Sequence, residues 1–422
     1  MPHPDPLARL ARAYHRSIAL RWWATVLAMP VMVPLILERG LDLAQLGLII
    51  ATYAAVTAVA EVPTGGLADT FGRVRITVVA DVLAVASRVL FVAAPDLTGF
   101  LAAAALGGFA RALGSGALEA WYVDARRRHA PMGDLQAPLA RAGTVTALAI
   151  GSGSLIGGFV PLAGPWLGLG AATGAPALAL GFAASAVFGL AALGATIGLR
   201  DADAGPLGGR AAARPDRVFR GAWSALRAAP MLAALAAGDG LTGGLVLGYE
   251  MLFPTELAAR WGDAVTPVLG FAFAGAFAAS AVGQTLGGRA RGGAARTAAR
   301  GYGLVALATA GLVPVVPGPW GVAAAIAAFW AAYGALGYTG PALGKTFHDR
   351  APSERRAVLL SVQSLASYVG GVVASLALGA VATTWGTDAA WATVAVAATA
   401  LTVALALAGA ATRRRVRAPA AP

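Results

Sequence analysis

Apolar runs of about twenty residues alternate along the chain with short polar interruptions rich in Gly, Pro and Arg. Roughly 20 consecutive apolar residues in a helix cross the ~30 Å hydrocarbon layer of a bilayer. Twelve such runs can be drawn, at 18–37, 45–64, 76–94, 99–121, 141–163, 172–198, 230–253, 265–287, 298–316, 320–344, 357–382 and 389–410. The pattern predicts an all-α membrane protein with twelve transmembrane helices. One interruption stands apart from the rest. Glu61-Val-Pro-Thr-Gly-Gly-Leu-Ala-Asp-Thr-Phe-Gly-Arg-Val-Arg-Ile76 packs two acids, three glycines and two arginines into sixteen residues.

Composition agrees with the pattern. Of 422 residues, 58% are hydrophobic and 12% are charged, and the mean hydropathy is +0.70. Soluble chains carry roughly 25% charged residues. The 55 Gly and 24 Pro suit membrane helices, where small residues allow close approach and neighbours repair a kinked backbone. The absence of Cys excludes disulfides, iron–sulfur clusters and thiolate chemistry. His3, His15, His129 and His348 are scattered at or beyond the ends of the runs, so neither a metal site nor a buried His relay is expected.

The net charge of +12 is a matter of topology. With the N-terminus inside, 28 of the 32 Lys and Arg fall in or beside inward loops, and only Arg39 and Arg260 lie in outward ones. That is a strong positive-inside bias. A nucleic-acid surface would need a compact basic domain with aromatics, and no such stretch exists. The longest inward loop follows the sixth run and is rich in Pro, Gly and Arg. The expected organisation is a lead-in over 1–17, a six-helix bundle over 18–199, a linker over 200–229, a second six-helix bundle over 230–410 and a basic tail over 411–422. The lead-in has no apolar core before the first span, so it is expected to remain uncleaved and cytoplasmic. Gly287-Gly288-Arg289-Ala290-Arg291 after span eight echoes the loop after span two, as repeated halves would.

Gly65-Gly-Leu-Ala-Asp69-Thr-Phe-Gly72-Arg73-Val-Arg75 resembles the loop signature of the major facilitator superfamily, G-x-L-a-D-r-x-G-r-r, with Thr70 and Val74 where basic residues are common. The resemblance implies two pseudo-symmetric six-helix bundles. It implies that Asp69 meets the start of span eleven near Arg356 and Ala357, and that Arg73 meets an acid at the inner end of span four, where Asp124 stands. Gly65, Asp69, Gly72, Arg73, Arg75 and Asp124 would together latch the cytoplasmic side. Arg111-Ala-Leu-Gly114-Ser-Gly116 is similar to the family element associated with proton coupling. Gly151-Ser-Gly153-Ser-Leu-Ile-Gly157-Gly158 half-resembles the antiporter element but lacks its central Gly-Pro. Ala351-Pro-Ser-Glu-Arg-Arg-Ala-Val-Leu-Leu-Ser-Val-Gln-Ser-Leu365 resembles a segment common in drug-exporter-like members.

Charges inside spans carry the remaining chemistry. Each costs at least ~2.5–3.5 kcal/mol at mid-bilayer, so it should face a partner or a cavity. Arg21, Glu61, Asp81 and Glu119 lie about a turn from the inner edge and are expected to form gate ion pairs, with a substrate or coupling role as the other reading. Arg88 follows Asp81 by seven residues on the same helix face, which predicts structural pairing. Arg111 and Asp239 are placed at the central cavity by the resemblance. Asp239 is the expected coupling acid, flanked by Gly238 and Gly240, with Arg111 as its counter-charge or, alternatively, as its fixed ion-pair partner. Glu250, near the outer end of span seven, is expected to be solvated. Trp22, Trp23, Tyr333 and Tyr338 fit either an interfacial belt or substrate contact. Gly340-Pro-Ala-Leu-Gly-Lys-Thr346 is one residue short of a phosphate loop and follows an apolar span, so ATP binding is not expected.

Together these features imply a secondary active transporter, not an enzyme, exporting small amphipathic or apolar molecules in exchange for protons. An uptake symporter or uniporter is the alternative, and a non-transporting receptor a more distant one. The absence of Asn, with Gln only at 45, 136, 284 and 363, favours an apolar substrate. No cofactor is expected beyond the proton gradient. The expected partners are the solute and membrane lipid, with no nucleic acid, for a monomer in the plasma or inner membrane with both termini cytoplasmic.

Overall fold

A computed structural model describes residues 5–64, 67–166, 177–200, 230–261, 265–290, 294–312, 318–350 and 356–417. Gly65 and nearly all of the expected linker lie outside these residues. The described residues form helices and no strand. In chain order the helices are α1 (Pro6–Val26), α2 (Met29–Glu38), α3 (Leu43–Thr64), α4 (Leu67–Phe71), α5 (Arg73–Ala93), α6 (Leu97–Leu113), α7 (Ala117–His129), α8 (Gln136–Trp166) and α9 (Ala179–Ile197). They continue with α10 (Pro230–Trp261), α11 (Thr266–Gly288), α12 (Ala294–Ala310), α13 (Pro319–Arg350), α14 (Arg356–Trp385) and α15 (Thr387–Arg417).

Ten segments among the described residues are long and apolar enough to cross a membrane. Helices α10 and α12 stand where spans seven and nine were drawn and fall outside that number. α10 carries Asp239, Glu250 and Glu256, and α12 is 17 residues long. The outward faces remain apolar: Val59, Leu148, Val187, Leu307 and Val396 are all more than 60% exposed. So much exposed aliphatic surface suits lipid rather than water.

Loop acids set several helix starts. The Asp5 carboxylate accepts from the Leu7 amide at 3.0 Å, and Asp96 accepts from Gly99 at 3.0 Å. Asp42 and Gln45 form a reciprocal capping box, each side chain accepting from the other's amide at 2.8 and 2.9 Å. Each cap satisfies an N–H that the helix leaves orphaned and is worth about 1 kcal/mol.

Two of the expected spans are broken rather than continuous. Span one stops at Val26 and restarts at Met29. Pro30 explains the break, because its ring lacks an N–H and clashes with the preceding turn. Span four stops at Leu113 and restarts at Ala117. There Gly116 has φ +70°, a left-handed conformation that costs glycine nothing. Residues 6–17 of the lead-in continue into span one as the same helix. Its Tyr14 stacks on Tyr122 of α7 with ring centroids 4.1 Å apart.

The chain divides into two compact units. The first holds residues 1–221 with 257–274, and the second holds 222–256 with 275–422. In the first, α1 packs against α7, α8 and α9, while α6 packs between α3 and α5. A buried cluster of Leu10, Tyr14, Val74, Leu118, Trp121 and Tyr122, with Leu199, ties one end of this unit together. In the second, α12 packs against α13 and α15, and α14 against α15. Close contact between α10 and α14 depends on glycine. A Cβ on Gly243 or Gly370 would strike the carbonyl oxygen of Ser367 or Gly240.

Candidate functional site

The polar residues inside the helices gather into small sets, two of them along α5, one at its start and one deeper in it. At its start, Gly72 (φ +104°) ends the short α4 and opens α5. This turn puts Asp69 and Arg73 one helical turn apart, with Arg73 Nη2 3.4 Å from Asp69 Oδ1. Nη1 of Arg73 lies 2.5 Å from Asp124 Oδ2 on α7. Val74 and Ala125, the next residues in each helix, belong to the buried cluster, which fixes the two backbones that carry the pair. Arg75 is exposed. The partner implied for Asp69, near Arg356 and Ala357, falls on side chains outside the described set.

Deeper in α5, Asp81 is 5% exposed. It pairs with Arg21 of α1 and accepts from Thr196 Oγ1 of α9 at 2.8 Å. This corrects the expected Asp81–Arg88 pairing. Both side chains leave the same face of α5, but each finds a partner on a neighbouring helix. Arg88 Nε donates to the Ala24 carbonyl and to Ser185 Oγ, both at 2.8 Å. Ser185 donates to the same carbonyl. Ala24 sits in the last turn before the break in span one, where a carbonyl loses its helical donor and must be satisfied from elsewhere. Arg88 therefore supports a broken helix.

The break in span four gathers the next set. Gly114 leaves room for Arg21, whose Nη2 lies 2.8 Å from where a Cβ would stand. Ser115 Oγ donates to Glu61 Oε1 at 3.3 Å, and Thr64 Oγ1 lies 3.3 Å from the Ala112 carbonyl. Glu61 thus meets a side chain, and Thr64 a carbonyl, at the interruption of span four. Arg111 is exposed in the last turn of α6, where a cation complements the helix dipole. Glu119 is exposed in the first turn of α7, the complementary place for an acid. Among the described residues Glu119 makes no ion pair, and it stands in the first turn of its helix.

In the second unit Asp239 lies on α10 and accepts from Gln363 Nε2 of α14 at 2.6 Å. The glycine contacts between these helices bring the two within reach. Glu250, expected to be solvated, is instead half-buried and accepts from the hydroxyl of buried Tyr333 at 3.3 Å. Two Thr–Tyr pairs join α10 to α12: Thr242 with Tyr302, and Tyr249 with Thr309. The members swap helices over a seven-residue step. Sequence reasoning missed Gln363, Tyr302 and the Glu250–Tyr333 contact. The only available signal was the matched spacing of Thr242 with Tyr249 and of Tyr302 with Thr309.

Other motifs resolve plainly. Trp23 donates to Ser152 Oγ at 3.1 Å and packs on Phe188. Gly340–Thr346 lies inside α13, so the glycines form no loop that could cradle a phosphate. No group of metal-ligating side chains occurs among the described residues.

No curated protein matches the sequence. A crystal structure of a mutant nucleoside transporter NupG has a TM-score of 0.77 at 13% identity, covering 96% of this chain and 99% of that one. A bacterial homolog of the human lysosomal transporter Spinster, in an inward-facing and occupied conformation, scores 0.72 at 16% identity, covering 97% and 96%. The human organic anion transporter MFSD10 (TETRAN) scores 0.57 at 17%, covering 95% and 100%. At these identities the likeness is one of fold. The family model of the Major Facilitator Superfamily matches residues 17–375. An all-helical fold, a loop of this signature between spans two and three, and a match over most of the sequence lead to one conclusion: the chain belongs to the major facilitator superfamily.

Proposed function

We propose that this membrane transporter is a secondary active one, working by alternating access and coupling proton movement to export of small amphipathic or apolar molecules. One observation supports proton coupling above the rest. Asp239 and Glu250 lie on one helix, and each is held by a neutral donor from another helix, Gln363 and Tyr333. Neither makes an ion pair among the described residues. Eleven residues separate them, close to three full turns, so they share a face about 16 Å apart along the axis. An intramembrane carboxyl with no fixed cation can be neutralised by taking a proton and recharged by losing it. A carboxylate locked to arginine cannot do so readily.

A second reading, uptake of a small polar solute, draws on Gln363, one of only four Gln in the chain and placed on Asp239. Vesicles holding the purified protein, given an imposed pH gradient, separate the two. The panel comprises amphipathic amines, nucleosides and organic anions, the last two because the fold is shared with transporters so described. Movement of amphipathic amines against their own gradient, driven by protons moving the opposite way, is the expected result. Movement of nucleosides along with protons favours the second reading. If no solute responds to the pH gradient, proton coupling is wrong.

The Asp69–Arg73–Asp124 set is proposed as a conformational latch. Asp69 and Asp124 are 43% and 37% exposed at the side chain, while Arg73 is 16% exposed. Partly exposed pairs contribute about 1 kcal/mol, a factor of about five in a conformer ratio. Arg73→Ala should therefore lower the transport rate severalfold while membrane insertion is unchanged. The reversed pair, Arg73→Asp with Asp124→Arg, should recover part of the loss. Full rates in Arg73→Ala would remove the latch.

A further inference from the structure

The first unit contains a cavity of about 310 Å³ that none of the coupling or latch residues line. Its wall comes from three places far apart in sequence: the first turns of α1, the end of α7 and the residues just after α9. Arg9, His129 and Arg200 line it together with Leu10, Ala13 and Trp121. Its volume reaches the lower end of the range for small-molecule sites, roughly 300–1,000 Å³.

The lining has two characters. Leu10 and Trp121 are buried and belong to the cluster that ties this end of the unit together, so one side of the cavity is apolar and firmly packed. The other side is cationic. Arg9, His129 and Arg200 are exposed residues from three separate segments, and among the described residues no acid lines the cavity. Arg200 is also anchored: its carbonyl accepts from the Trp121 indole N–H at 2.9 Å. That bond ties the backbone behind the guanidinium to the core.

We infer that this cavity binds a phosphate-bearing anion, either the headgroup of an anionic phospholipid or a free phosphate compound. Guanidinium groups match phosphate oxygens with paired, charge-assisted hydrogen bonds. An apolar wall beside a cationic rim suits a group that is charged at one end and carbon at the other. The cavity lies at the end of the unit where positive-inside reasoning places the cytoplasmic headgroup layer, and anionic lipid there attracts basic side chains. A simpler reading has the cations neutralise the C-terminal ends of α7 and α9. That would account for the charges, since α7 carries Arg126, Arg127, Arg128 and His129 in its last turn. It would not account for an open space between them.

The test uses the full chain purified in neutral detergent. Native mass spectrometry counts retained phosphatidylglycerol against phosphatidylcholine. Thermal shift is measured with inorganic phosphate and with glycerophosphate. Wild type should hold phosphatidylglycerol preferentially or be stabilised by the soluble phosphates, and which of the two occurs identifies the source. Arg9→Ala with Arg200→Ala should weaken that binding at least tenfold. Arg9→Lys with Arg200→Lys should keep most of it. Arg289→Ala with Arg296→Ala, exposed arginines in the other unit, should leave it within twofold. If the double alanine variant does not fold, Arg9→Gln alone should still weaken binding about threefold. The inference fails if neither phosphate source binds wild type, or if the cavity variants bind as wild type does. It fails equally if the control pair loses as much.

Discussion

Asp239→Asn is expected to abolish transport driven by a pH gradient while substrate binding persists. One proton exchanged per solute across one pH unit supplies about 1.4 kcal/mol, a tenfold solute gradient. Asn has the shape of Asp but no exchangeable charge, so the driven gradient should fall from about tenfold to none. It also keeps an acceptor for the Gln363 amide, 2.6 Å from the carboxylate in wild type, so the α10–α14 contact should survive. Binding should lie within about threefold of wild type and lose its dependence on pH. Solute counterflow, which needs no proton, should continue.

Two companion variants make the assignment sharp. Gln363→Leu removes the donor but leaves the carboxyl, and should slow transport without uncoupling it. Glu250→Gln tests the second acid on the same face of α10. If Asp239→Asn still builds a tenfold solute gradient and Glu250→Gln does not, the coupling proton belongs to Glu250 and Tyr333. If both variants build the gradient, the coupling group lies outside α10, with Glu61 or Glu119 next.

Much of this was legible in the chain because single helices announce themselves. A run of twenty apolar residues needs no knowledge of its neighbours to be called a span. The Arg73–Asp124 contact was also within reach, because the loop signature specifies both a residue type and a place. Partners of the buried charges were harder. Seven-residue spacing correctly places Asp81 and Arg88 on one face of α5. Which helices lie opposite that face is a tertiary fact, and α1 and α9 supplied closer partners than the two residues supply each other. The breaks in spans one and four had local signals in Pro30 and in Gly114–Gly116. Membrane helices tolerate both residue types without breaking, so neither signal decides the matter alone. Glu250 illustrates the same limit. Its position near a span end suggests water, and only the packing of α13 beside α10 brings the Tyr333 hydroxyl to it.

Removal of Arg21 gives the largest expected loss of stability. Asp81 is 5% exposed and has two donors, Arg21 and Thr196. Arg21→Ala leaves a buried acid with the Thr196 hydroxyl alone. Breaking a buried pair from one side costs about 3–5 kcal/mol, because the remaining charge keeps its desolvation cost without its partner. Thr196→Val removes one hydrogen bond to a charged acceptor and should cost about 1.5–3 kcal/mol. Exposed Arg75→Ala should cost under ~0.5 kcal/mol. Replacing both members, Arg21→Met with Asp81→Leu, should restore most of what Arg21→Ala loses, since an apolar pair of similar volume can match a buried ion pair. The measurement is reversible unfolding by denaturant in mixed micelles, with Arg21→Met and Asp81→Leu made singly to close the cycle with the double variant. Transport per folded molecule provides the second readout. A pair that only holds α1, α5 and α9 together should leave that rate unchanged in the double variant. A pair that opens and closes with the transport cycle should not. An Arg21→Ala protein as stable as Arg75→Ala would mean that water reaches Asp81, and the buried pair would then contribute nothing to holding the three helices together.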